Sequence, residues 1–181
     1  MGLFLSVLIV KGRTEADVRP KIEKCAANEE WNLIPAECRY REYGDGVQIL
    51  LNDMCSGYDE MTLELSGELS SAVMLCYIYD DDFWGYDLYE NGEKLDSFSP
   101  MPDYFEEVSE EEKQELAGNS GVIARCFNVD EDKIKGYLVE WSDETLDAGQ
   151  PAYEGDEFCA GDPWQMADFM DKIGYPYEWV E

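Results

Sequence analysis

The sequence predicts an α+β fold: strand, helix, two strands, helix and strand, then a β-hairpin and an acidic helical segment. Three observations carry that expectation. Runs that are unbroken apolar or alternate with period two are interleaved with runs whose apolar residues recur every three or four positions. Glycine-containing breaks separate them. The 181 residues are 45% hydrophobic and 13% aromatic, enough to build one compact unit with a real core in spite of the charge.

Leu3 to Val10 is a nearly continuous apolar run, the mark of a strand covered on both faces. Thr14 is placed to cap a helix with an acidic first turn, an inner stripe of Val18, Ile22 and Cys25 or Ala26, and an end near Asn28. Pro20 lies close enough to its start to be tolerated or to delay it. Glu37 to Tyr43 alternates as a half-exposed edge strand, Gly44-Asp45-Gly46 turns it, and Val47 to Leu51 is an inner strand. Met61, Leu65 and Leu69 predict a helix from Tyr58 to about Leu69, weakened by Gly67. Ser71 to Tyr79 then carries Val73, Leu75, Tyr77 and Tyr79 on one side and Ala72, Met74, Cys76 and Ile78 on the other.

This order, βαββαβ, is the split-βαβ arrangement of ferredoxin-like folds, whose sheet places the first and third strands in the middle. Those two strands are the most continuously apolar here. Asn91-Gly92 predicts a two-residue type I′ turn joining Trp84–Glu90 to the following strand. In that register Leu88 faces Leu95, Tyr86 faces Ser97 and Tyr89 faces Lys94. Asp87 then opposes Asp96, and Glu90 opposes Glu93, like-charge pairs that cost stability unless Lys94 or a cation lies between them. The hairpin extends the sheet beyond the fourth strand, with Asp80-Asp81-Asp82 as the connecting turn.

From Pro100 onward the chain reads as helical and more acidic. Ser109 caps a helix to about Ala117, and a helical hairpin packs Ile134, Tyr137, Leu138 and Trp141 inward. Ser142 to Asp162 is a long loop with no basic residue, of the length that is functional or mobile. Asp162 caps a last helix with Pro163 at its first position and a stripe of Met166, Phe169, Met170 and Ile173, stopped by Gly174. The expected organisation is a ferredoxin-like core plus hairpin over residues 1–105 and an acidic helical lobe over 106–181, packed as one unit.

Charge and residue inventory narrow the chemistry. Forty-two acids against 13 bases give a net charge of −29, which repels phosphate backbones and anionic membrane surfaces. No nucleic acid and no membrane partner is expected. A basic protein would instead be steered toward the chain, with a benefit that fades as salt rises. There is no histidine, which excludes histidine-activated nucleophiles and imidazole metal sites. No phosphate-binding glycine loop is present. The six cysteines form no CxxC pair and read as reduced thiols of a cytoplasmic protein. No apolar run is long enough to span a bilayer, and Met1 to Ser6 fits the N-myristoylation pattern but reads directly as the start of a strand.

Two further patterns are decoys. Asn128, Asp130 and Asp132 mimic the start of a calcium loop, but Lys133 occupies the required glycine position. Gly121 to Leu138 has helix-turn-helix spacing, yet its recognition helix would begin Asp130-Glu131-Asp132 and present carboxylates to phosphates.

The remaining signal is the surplus of aromatics beside acids. Five tryptophans and twelve tyrosines exceed the needs of one small core, so some are expected at the surface, where they anchor lysine and arginine side chains. The partner-binding residues expected are Trp84, Tyr86, Asp80, Asp81, Asp82 and Asp87, with Tyr153, Glu154, Asp156 and Glu157 from the long loop. No catalytic residue, no metal ligand and no cofactor is expected. The alternative is a divalent-metal-binding module or hydrolase centred on the 80–96 hairpin, where Asp80 to Asp82, Asp87 and Asp96 would supply oxygen ligands.

The phrases YDDDFWGYDLYENGEKLDSFSPMPDYF (Tyr79 to Phe105) and GDPWQMADFMDKIGYPY (Gly161 to Tyr177) resemble segments of uncharacterised small acidic proteins from bacteria. In acidity, tryptophan content and lack of catalytic motifs, the chain is also similar to immunity proteins of bacterial toxin systems. That resemblance implies a non-enzymatic protein that engages a basic protein partner, and assigns no role to any residue.

Overall fold

A computed structural model describes residues 2–179. Its elements are β1 (Leu5–Lys11), α1 (Glu15–Cys25), β2 (Arg39–Tyr43), β3 (Gly46–Leu50), α2 (Tyr58–Leu69), β4 (Ala72–Tyr79), β5 (Phe83–Glu90) and β6 (Glu93–Phe98). Four short helices follow, α3 (Glu110–Glu115), α4 (Ser120–Phe127), α5 (Asp143–Ala148) and α6 (Gln165–Lys172). The fold is α+β, with a six-stranded antiparallel open sheet in the order β2-β3-β1-β4-β5-β6. The first and third strands are the inner pair of the β2-β3-β1-β4 portion, and the hairpin β5-β6 adds beyond β4, which puts β1 and β4 at the centre of the six.

By its internal contacts the chain forms two compact units that interleave in sequence. One holds Phe4–Tyr77 and Asp87–Leu95; the other holds residues 2–3, Ile78–Tyr86 and 96–179. Strands β4, β5 and β6 each contribute residues to both. Among the described residues no helix is long and apolar enough to cross a membrane. The lipidation pattern begins at Met1, which lies outside the described residues, as do 180 and 181.

In the unit of Phe4–Tyr77, the core joins one face of the sheet (Leu8, Val10, Val47, Ile49, Val73 and Leu75) to the inner stripes of two helices. Val18, Ile22 and Cys25 come from α1, and Met61, Leu65 and Leu69 from α2. Each such aliphatic side chain contributes about 1.5–3 kcal/mol by leaving water. The opposite face of β1 is equally dry, with Val7 and Ile9 at 0% exposure, as its unbroken apolar run requires. β1 begins two residues later than expected and runs to Lys11, because Lys11 still pairs with Gly46 in the β3 ladder. β2 pairs antiparallel with β3 from Arg39↔Leu50 to Tyr43↔Gly46, which leaves Gly44 and Asp45 as a two-residue turn.

Thr14 caps α1 through a reciprocal box with Asp17, and this fixes the helix start ahead of Pro20. Pro20 therefore neither delays the helix nor lies in its first turn; it stands inside α1, where its ring removes one backbone donor. Gly67, which weakened the reading of α2, has a packing reason. A Cβ there would stand 3.5 Å from Gly92 Cα, and the Gly92 amide donates to Ser66 Oγ at 3.0 Å. The Asn91-Gly92 turn, with Asn91 at φ 54 and Gly92 at φ 80, thus docks on the helix backbone.

The other unit is organised around aromatics. Phe169 of α6 packs on Trp84 at 5.1 Å, stacks on Tyr86 at 5.5 Å and meets the Tyr137 ring at 5.8 Å. Met166, Met170 and Ile173 complete the expected stripe. Three local expectations are corrected. The second limb of the helical hairpin is a pair of 3-10 turns, Glu131–Lys133 and Lys135–Tyr137, with Leu138 only half-buried. Asp162 does not cap α6 directly: its Oδ1 accepts from the Trp164 amide at 2.9 Å in a turn before the helix begins at Gln165. The loop from Ser142 contains α5, capped by Ser142 Oγ on the Thr145 amide.

Candidate functional site

The β4-β5 connection is a tight turn with unusual residues in it. The Asp82 amide donates to Tyr79 O at 2.9 Å, which leaves Asp80 (φ 51) and Asp81 (φ 61) at the two central, left-handed positions. Asn-Gly is the usual occupant of such a turn, and an L residue with a Cβ costs roughly 1 kcal/mol at each position. Local bonds offset part of that. The Gly2 amide donates to Asp80 Oδ1 at 3.0 Å and the Asp81 amide to Leu3 O at 3.1 Å. Only glycine fits at position 2, since a Cβ would stand 2.3 Å from Asp80 O.

Beside this turn lies an aromatic cluster. Phe105 meets Tyr79 edge-on at 5.1 Å and Tyr104 edge-on at 4.9 Å, while Tyr104 packs on Phe83 at 4.9 Å. Phe83 is buried, Tyr79 and Tyr104 are half-buried, and Phe105 is 69% exposed. The Tyr104 phenol donates to the Asp82 carboxylate, and that hydrogen bond, with some burial, pushes the phenol up to about 12. Asp81, Asp82, Asp103, Glu106 and Glu107 are all exposed. Asp103 is engaged by Lys113 at 2.6 Å and by the Val108 amide at 2.9 Å, which hold it below the usual carboxylate range.

This arrangement suits cation capture. An aromatic face attracts an ammonium or guanidinium by about 0.5–1 kcal/mol at an exposed site, and a neighbouring carboxylate adds a charge-assisted hydrogen bond. No single contact of that size secures a partner. Several in register on one surface do.

The other expected site residues are placed elsewhere. Trp84 and Tyr86 are not surface anchors: both are fully buried. The Trp84 indole donates inward to Gln165 Oε1 at 3.2 Å, and the Tyr86 phenol donates to Asp96 Oδ2 at 2.6 Å. Strand alternation put these side chains on one face; the helical segment then covered that face. Asp87 is also largely buried and is held by Lys94 at 2.6 Å, which answers the like-charge anomaly of the hairpin with a lysine. Asp96 accepts from Tyr86 and from the Asn119 amide at 2.9 Å. Among the described residues no three Asp, Glu or Cys side chains converge as a metal site would require.

The four loop residues divide in the same way. Glu154 and Glu157 are exposed. The Asp156 side chain is only 2% exposed and accepts from Tyr137 Oη at 2.8 Å, the Tyr153 amide at 3.0 Å and Lys172 Nζ at 3.0 Å. Burial and this carboxylate acceptor push the Tyr137 phenol up. Tyr153 is half-buried, its hydroxyl accepting from the Gly136 amide at 2.8 Å. These groups fix the loop's shape.

Sequence reasoning missed Tyr104 and Phe105 as site residues. The available signal was position: two aromatics between Pro102 and the Ser109 cap, in a stretch with no period to bury them and followed directly by Glu106-Glu107. Compared with protein-family models, with curated proteins and with solved structures, the chain finds no match in any of the three.

Proposed function

We propose that this chain is a non-enzymatic, cytoplasmic acidic binding protein that engages a basic protein partner, inhibition of the toxin-immunity kind being one form of that role. The binding surface is the Asp80-Asp81-Asp82 turn with Tyr79, Tyr104 and Phe105. The observation that carries this reading is Phe105, an aromatic side chain 69% exposed, followed in the chain by Glu106-Glu107 and packed edge-on against Tyr104, whose phenol donates to Asp82, in a chain of net charge −29. Apolar surface offered among acids favours a ligand that is itself apolar in its stem and cationic at its tip, as lysine and arginine are. The order of β1 to β4 with α1 and α2 is read as a split-βαβ, ferredoxin-like arrangement. A tightly built turn also supports the reading, since a site on a rigid scaffold loses little freedom on binding.

The test is retention from native lysate on immobilised protein at low and then high salt, beside a Phe105→Ser variant. A basic protein held at low salt by the wild type, weakened by the variant and released by salt is the expected result. Recovery of no basic protein at low salt contradicts the proposal.

A further inference from the structure

A second surface, in the unit of Phe4–Tyr77, has a different construction. A concavity of about 360 Å³ opens between the loop that follows α1 and the loop that follows β3, with Ala26 and Leu33 in its lining and Ile34 and Met54 also contributing. Leu33 is buried, but Ile34 is 43% and Met54 76% exposed. The walls are stitched together. Asn52, itself 7% exposed, donates to Asn32 O at 3.0 Å and accepts from the Ile34 amide at 2.9 Å. Ser56 donates to Glu30 O at 2.8 Å, accepts from Asn32 at 3.2 Å and, through its amide, donates to Trp31 O at 2.8 Å. A loop pair braced this way does not expose a methionine and an isoleucine through slackness.

We infer that this concavity is a preformed docking groove for a lysine- or arginine-rich segment that inserts a large aliphatic side chain between Ile34 and Met54. The inference rests on the reading of a basic partner and adds an apolar anchor point to it. Charge complementarity selects the occupant. From Ala26 to Cys38 and from Leu51 to Leu65, a range that takes in the first two turns of α2, there are seven acids (Glu29, Glu30, Glu37, Asp53, Asp59, Glu60 and Glu64) and no lysine or arginine. Of the bases that flank these stretches in the chain, Lys21 and Lys24 on α1 are engaged by Glu68, and Arg39 opens β2. A second copy of the chain would bring a charge of −29 against the same sign and be repelled. Methionine suits such a lip, because its unbranched, polarisable side chain adapts to the inserted group. The volume accommodates one or two aliphatic side chains, and burying one supplies the affinity that screened charges do not.

The experiment uses two labelled probes at moderate salt: a lysine-rich helical peptide with leucines along one face, and the same peptide with serine replacing each leucine. The leucine peptide is expected to bind the wild type about tenfold tighter. That margin disappears in the Ile34→Ser/Met54→Ser double variant and persists in Phe105→Ser, with all variants shown folded by their thermal transitions. Equal binding of the two peptides, or a margin that survives the double variant, overturns the groove while leaving the basic-partner reading intact. Binding of neither peptide even at low salt overturns both. Self-association of the wild type that the double variant abolishes assigns the groove to a second copy instead.

Discussion

The Tyr137 phenol donates to Asp156 Oδ2 at 2.8 Å, and the other oxygen of the same carboxylate holds Lys172 Nζ at 3.0 Å. One nearly buried acid thus ties the loop around Tyr153 to the 3-10 turn of Tyr137 and to α6. Asp156→Ala leaves a buried phenol and an ammonium without their acceptor and is expected to cost about 3 kcal/mol of unfolding free energy. Asp156→Asn keeps an acceptor and costs less. Urea denaturation of the three proteins checks the order.

The turn at Asp80-Asp81 carries the opposite kind of prediction. Asp81 at φ 61 is exposed and gains little from its side chain. Asp81→Gly relieves the left-handed strain and is expected to raise stability by about 0.5–1 kcal/mol, while weakening capture of a basic partner. A rise in the denaturation midpoint together with a loss of affinity identifies this turn as strained in the service of binding.

At Gly67 the sign depends on size. A Cβ meets Gly92 Cα at 3.5 Å, an ordinary contact, so Gly67→Ala is expected to stabilise α2 by about 0.5–1 kcal/mol. Gly67→Leu pushes the hairpin tip away, breaks the Gly92 bond to Ser66 Oγ, and destabilises. Thermal melts of both variants separate the effects.

Stability against pH follows from groups that hold their protons more tightly when folded. Burial pushes the Cys25 thiol from 9.0 up to about 11 and Cys55 from 9.0 up to about 12; it likewise pushes the Tyr40 and Tyr89 phenols from 10.0 up to about 12. A raised value means stabilisation that is complete below the unfolded value and lost as pH rises through the folded one. Stability is therefore expected to decline from about pH 9 to pH 12, and with no histidine in the chain to change little between pH 6 and 8. Cys55→Ala makes the alkaline decline shallower. Urea midpoints measured across that range test the slope.

The legible and illegible parts of this fold have physical reasons. β1, α1, α2 and the Asn91-Gly92 hairpin were readable because each buries a face whose period is visible locally, and because Thr14 and Asn91-Gly92 carry local chemistry. Pro20 stayed open between toleration and delay, since an interior proline costs about 3 kcal/mol and a Thr cap contributes about 1, so burial of the Val18, Ile22 and Cys25 stripe decides it. The burial of Trp84 and Tyr86 depends on α6 reaching them from more than 80 positions away in the chain, and no window of sequence records that contact. Asp87 illustrates the same limit in reverse: the like-charge conflict was visible, and Lys94 was named as its remedy, but whether lysine or cation answered it needed coordinates. The candidate surface was half legible, with Asp80 to Asp82 found by composition and Tyr104 and Phe105 passed over because aromatics outside a period read as loop.

The most direct measurement is a titration of the isotope-labelled protein with an arginine- and lysine-rich peptide at low and at high salt, followed by amide chemical shifts. Shifts concentrated on residues 79–83 and 103–107, weakened in a Phe105→Ser/Asp82→Asn variant and abolished by salt, are the predicted result. Small shifts scattered over acidic residues throughout the chain, unchanged by that variant, would contradict a localised aromatic and carboxylate surface.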